Sequence, residues 1–202
     1  MDLIVTIVRH GNTFDVGEPP RRIGARTDLP LVASGRDQAR SLGMAFAAEG
    51  TVFDQAMAAP LLRTRGTMDL ILASQADPPA TQATDWLTEI DHGPDEGRLE
   101  SEVIARIGHQ ALAAWDANAH APVGWIVDAP RRMQGWRALW QDGRGQVLIV
   151  TSNGAARFAL LADEALRRQA SDLPSLKLRT GAYGRIGREQ GKLRLMDWDR
   201  RP

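Results

Sequence analysis

The chain contains no cysteine, which excludes disulfides, thiolate metal sites and cysteine nucleophiles together. It also has no excess of charge, since Lys+Arg and Asp+Glu each number 25. A nucleic-acid surface would need a basic surplus, so no nucleic-acid partner is expected, and nothing marks an affinity for an anionic membrane. Any attraction for an anionic ligand must come from locally clustered arginines. No apolar run approaches a membrane span, and Met1–Val8 is too short for a signal segment and lacks a basic leader and cleavage site. Repeats and low-complexity tracts are missing as well. Over 202 residues the expectation is one soluble, cytoplasmic globular domain.

What is present is a repeating order of strand, loop and helix. Leu3–Val8, Asp54–Ala58 and Gln146–Val150 read as strands, each followed by a loop that opens a helical pattern. Ser34 is a fitting N-cap for a helix over Gly35–Glu49, whose Ala39, Leu42, Phe46 and Ala47 form an apolar stripe. Further helices are expected over Leu62–Ser74 and Ala155–Ala170. Such alternation predicts a three-layer α/β/α sandwich around a mostly parallel central sheet. Glu100–Trp115 and Arg131–Trp140 also look helical, and residues 100–142 are taken as a cap or insertion over the sheet edge. The tail, Ala182–Glu189 and Lys192–Trp198 around Gln190-Gly191, alternates like a closing hairpin.

The first strand ends abruptly in Arg9-His10-Gly11. In an open α/β sheet, ligands bind beyond the carboxyl ends of the strands. A guanidinium there can grip phosphate by its planar fork, an imidazole can attack or pass a proton, and a glycine lets backbone approach a ligand. The Ser152-Asn153-Gly154 turn sits at a second strand end.

Four ordered blocks resemble the histidine phosphatase superfamily, the phosphoglycerate-mutase-like fold. They are Arg9-His10-Gly11-x-Thr13; Thr27-Asp28-Leu29-Pro30-Leu31 with Gly35 and Gln38-Ala39; Ala59-Pro60-Leu61-Leu62-Arg63 with Thr67; and Leu87-x-Glu89 through Gly93 to Glu96-Gly97. The resemblance covers most of the first half of the chain. It implies His10 as the nucleophile, Arg9 and Arg63 as phosphate clamps, and Asn12 as a further donor. Glu89 would protonate the leaving alcohol and then deprotonate water, which calls for a raised pKa. No metal or other cofactor is implied, because fixed cations can stabilise the transferring phosphoryl group.

The family's second signature, a strand followed by Ser-His-Gly, is here Thr151-Ser152-Asn153-Gly154. Asn153 therefore stands where a phosphate-contacting histidine is expected. Its amide can still donate to phosphate but carries no charge. Val16 and Ala59 are fainter departures. His92 is the one other histidine placed to supply a charge, although packing is its default role. Arg21 and Arg22 precede Gly24 in an ambiguous register. Trp115, Trp125, Trp136 and Trp140 could wall a substrate or simply pack.

The resemblance thus implies a metal-independent phosphatase acting on a small phosphate monoester through phospho-His10. The alternative is a catalytically weakened phosphoester-binding protein of the same fold. A phosphoglycerate mutase fits less well, since holding and transferring a phosphate suffers most from loss of the second histidine. Substrate and oligomeric state stay open.

Overall fold

A computed structural model describes residues 1–202. The chain folds as β1 (Leu3–Arg9), α1 (Ala33–Ala48), β2 (Gln55–Ala58), α2 (Leu62–Leu72), β3 (Thr81–Ala83), α3 (Glu100–Asn118), α4 (Ala129–Asp142), β4 (Gly145–Thr151), α5 (Asn153–Ala156), α6 (Phe158–Leu161), α7 (Glu164–Ala170), β5 (Tyr183–Glu189) and β6 (Lys192–Arg200). One six-stranded sheet runs in the order β3-β2-β4-β1-β5-β6. Its first four strands are parallel, and the β5–β6 hairpin is antiparallel at one edge. Gln190 and Gly191 turn that hairpin with φ of 51° and 73°, the left-handed pair that matches strand twist. No helix is long and apolar enough to cross a membrane.

Alternation along the central strands divides the core in two. Leu3, Val5 and Ile7 of β1 and Val147 and Ile149 of β4 face a layer containing Trp115, Trp136, Trp140, Phe158 and Leu166. Val8, Leu148 and Val150 face Leu42 and Phe46 of α1 and Met68 and Ile71 of α2. The chain therefore leaves β1 toward one face and β4 toward the other. Between these two strands lies the kind of crevice where α/β sheets take ligands.

The details depart from sequence expectation at four places. Val32, not Ser34, is the N-cap of α1, and Ser34 lies in the first turn, accepting a hydrogen bond from the Asn12 amide. The helix expected over Ala155–Ala170 is three short helices, because the Asp163 carboxylate caps the Leu166 amide and starts α7 afresh. The short strand β3 has no signal in the sequence, since Thr81, Gln82 and Ala83 are all exposed and carry no apolar pattern. Within residues 100–142, α4 is a layer helix: Trp136 and Trp140 pack against the sheet. Helix α3 kinks at Gly108, whose φ is 78°.

Trp136 is fully buried, edge-on to Trp86 and stacked on Trp140. Its indole nitrogen has no partner, so shape and area are what it contributes. Trp136→Ala is expected to lose about 3–5 kcal/mol in urea unfolding, and Trp136→Phe less than half of that. Equal losses would show that the indole matters for more than volume.

Candidate active site

Residue 10 is placed by the two central strands. The Arg9 amide donates to the Ala182 carbonyl and the His10 amide to the Thr151 carbonyl, so β1 is held to both neighbours at its very end. The chain then turns onto the start of α1. A Cβ on Gly11 would lie 2.3 Å from the Gly35 carbonyl oxygen, and one on Gly35 would lie 2.1 Å from that of Asn12. Two glycines are thus what allow this loop to rest on the helix.

A cavity of about 300 Å³ opens above the strand ends, lined by Arg9, His10, Asn12, Glu89 and Asn153. Five of the six residues singled out in the sequence therefore share one site. The sixth, Arg63, does not line it. It is fully buried, and its guanidinium donates to the carbonyls of Thr27 at 2.6 Å and Gly24 at 3.1 Å. Its Nε has no partner. Arg22 and His92, singled out only weakly, do line the cavity, as does Trp115. The other three tryptophans serve packing.

His10 is buried, and its Nδ1 lies 2.8 Å from the Gly11 carbonyl oxygen. A carbonyl can only accept, so Nδ1 carries the hydrogen and Nε2 keeps its lone pair. Burial, with Arg63 and Arg9 beside it, holds the imidazole well below its ordinary 6.5 against the opposing Gly11 bond. It is a neutral base with a free nitrogen. Arg9 donates to the Leu178 carbonyl at 2.7 Å and leaves its Nε unpaired. Burial lowers its pKa to about 10, and the Arg63 and Arg22 cations add to that against the pull of Glu89. A buried cation depressed by its neighbours is relieved by an anion.

Both side-chain ends of Asn12 are engaged within the protein: its amide donates to Ser34 and its carbonyl accepts from Thr180. One amide hydrogen remains. Asn153 accepts from the Leu178 amide at 3.0 Å, which leaves its NH₂ free of protein partners.

Glu89 overturns one expectation. Its two carboxylate oxygens accept from the amides of Ile90 at 2.9 Å and Gly154 at 3.1 Å. A Cβ on Gly154 would lie 2.1 Å from Glu89 Oε1, so this glycine is what admits the carboxylate. Burial pushes the carboxyl up, but His92, the two amides and Arg63 together hold it below the ordinary range. The pKa is lowered, not raised.

The depressed His10 also sets an acid sensitivity. Below about pH 6.5 the unfolded chain binds a proton on this imidazole that the native site refuses, so stability falls as pH drops. At pH 5 His10 is therefore expected to lower native stability relative to pH 7.5. Thermal unfolding at pH 7.5 and 5.0 should show a smaller acid loss for His10→Gln than for the wild type. Equal losses would mean that His10 titrates normally.

With this geometry in hand, comparison with known proteins gives a consistent result. The profile of the histidine phosphatase superfamily (branch 1) matches residues 5–201. The α-ribazole phosphatase of Shigella flexneri superposes with a TM-score of 0.73 at 20% identity, over 98% of this chain and 96% of that one. A mycobacterial glucosyl-3-phosphoglycerate phosphatase gives 0.76 at 18%, over 98% and 99%. YhfR of Bacillus stearothermophilus gives 0.76 at 20%, over 98% and 96%. At these identities the structural likeness is one of fold, while the profile spans nearly the whole sequence. The chain belongs to branch 1 of the histidine phosphatase superfamily.

Proposed function

We propose that this protein hydrolyses a small phosphate monoester through a phosphohistidine on His10, without a metal. The observation that carries the reading is the His10 imidazole itself. It is neutral, turned by the Gly11 carbonyl so that Nε2 is free, and set in a cavity beside a buried, half-satisfied arginine. That the named phosphatases share the fold supports it.

In the first step His10 Nε2 attacks phosphorus and the ester P–O bond breaks, the leaving oxygen taking a proton. In the second, water attacks the phosphohistidine, the P–N bond breaks and His10 is restored. Arg9, with Arg63 behind it, supplies the fixed positive charge on the equatorial oxygens. Asn12 and Asn153 each have amide hydrogens left to donate. Glu89 is the carboxylate of the acid–base step, poised on two amides and ionised at rest.

Asn153 replaces the histidine that the family signature has at this turn, and the neutral amide makes a weaker contact than a charged one. This favours slow turnover, and it gives the rival reading, a phosphoester-binding protein with no useful turnover, its one specific support. Rapid quench after mixing with a ³²P-labelled monoester in excess chelator separates the two. The enzyme should carry acid-labile, base-stable label that His10→Gln abolishes. Tight binding with no label in either protein would establish the binder.

The same turn yields a gain-of-function expectation. In Asn153→His, an imidazolium carries hydrogen on both nitrogens, so it gives up the bond from the Leu178 amide and presents a charged N–H to the phosphoryl group. One charge-assisted bond in place of a neutral one should raise kcat/KM on simple monoesters about tenfold. The gain should fade above the pKa of the new imidazole. A correctly folded variant that gains nothing would show that residue 153 does not contact the phosphate.

A further inference from the structure

The seating of Glu89 on two backbone amides leaves a question: which group holds the proton that the leaving oxygen requires? Each oxygen of Glu89 accepts a backbone N–H, and a carboxylate so held resists protonation. His10 must be neutral to attack. Asn153 cannot titrate. Of the side chains lining the cavity, His92 is the remaining imidazole, the side chain suited to exchange a proton near neutral pH.

The surroundings of His92 form a built site. The ring is buried and stands edge-on against Trp125 at 4.6 Å. Its Nδ1 has no hydrogen-bond partner and lies 3.6 Å from Glu96 Oε2. Glu96 is itself immobilised: it accepts from the amides of Gly24 at 2.8 Å, Arg26 at 3.2 Å and His92 at 3.2 Å, and from the Thr27 hydroxyl at 2.7 Å. Burial pushes Glu96 up, but His92, Thr27 and these amides bring it down to about 2. A fixed anion therefore sits behind one ring nitrogen, the orientation that directs the other nitrogen away from it. The imidazole also draws the Glu89 carboxyl down.

We propose that His92, backed by Glu96, holds the proton that His92 and Glu89, acting as a pair, exchange with the substrate. This rests on the phosphatase reading and deepens it. The pair enters the reaction as imidazolium and carboxylate. Its one proton passes to the ester oxygen as the P–O bond breaks and His10 takes the phosphoryl group. The pair, now a neutral imidazole and a carboxylate, then takes a proton from water as that water attacks phosphorus and the P–N bond breaks, which releases phosphate and restores the starting state. Atoms and charge balance without a further reactant. The ionisable groups around His92 are Glu89, Glu96 and Asp91 on its own loop. Across Trp125 stand Arg22, which lies over that ring, and Asp95, which takes the Trp125 N–H and pairs with Arg106. Asp91 pairs with Arg26, and Arg63 acts on Glu89.

The test is a pH profile of kcat/KM on an alkyl phosphate and on p-nitrophenyl phosphate for wild type, His92→Phe and Glu96→Gln, with Tm measured for each. His92→Phe keeps an aromatic ring against Trp125 and removes only the proton carrier. It should lose about 100-fold on the alkyl ester and less than about threefold on the nitrophenyl ester, whose leaving group scarcely needs a proton. The alkaline fall in activity on the alkyl ester should disappear. Glu96→Gln should move that fall about one pH unit lower, since an anion that favours the imidazolium is gone. A folded His92→Phe with equal losses on both esters, or with an unchanged alkaline limb, overturns the relay and leaves the phosphatase reading standing. Wild-type protein that turns over neither ester overturns that reading, and the relay with it.

Discussion

β1 and β4 pair in parallel from Leu3 opposite Gly145 to Arg9 opposite Thr151, and this register governs what the cavity contains. It sets His10 beside the 152–154 turn although the two are far apart in sequence. A slip of one residue would turn every side chain of β1 to the opposite layer. Leu3, Val5 and Ile7 would leave the tryptophan-rich core for the face of α1 and α2. The His10 amide would lose the Thr151 carbonyl, and the imidazole would no longer share a pocket with the carboxylate that Gly154 holds. Packing on both faces therefore enforces the alignment that the chemistry uses.

The same buried positive field does two jobs. The protein as a whole is neutral, so nothing at long range draws an anion in. Around the cavity, Arg63 and Arg22 are close enough to depress Arg9, and Arg9 and Arg63 also depress His10. The field that an anion would relieve at Arg9 is the same one that keeps the imidazole unprotonated. A solvated arginine pair would screen itself and do neither well.

What the sequence made legible were the features with a strong local signal. The apolar run of β1, the alternation around Gln190-Gly191 and the stripe of α1 all reported their elements, and five of the six candidate residues met in one cavity. The failures have a common physical origin in backbone groups that a residue pattern does not display. Arg63 lies in the expected block, but the carbonyls of Gly24 and Thr27 draw its guanidinium behind the cavity. Glu89 is buried, as its assigned role implied, yet two amides reverse the pKa that burial alone would give. His92 looked like an isolated histidine because its partner Glu96 is positioned by Gly24, Arg26 and Thr27 from a distant loop.

Asn153 follows the same logic. Its side-chain oxygen accepts from the Leu178 amide, and the Leu178 carbonyl accepts from Arg9. One peptide residue thus bridges the turn after β4 to the arginine at the end of β1, with both of its polar groups used. A buried guanidinium with an unpaired Nε can aim at a phosphate only if its other nitrogens are anchored, and Leu178 is that anchor. The asparagine carries no charge of its own. It orders the loop that orients the charge next to it.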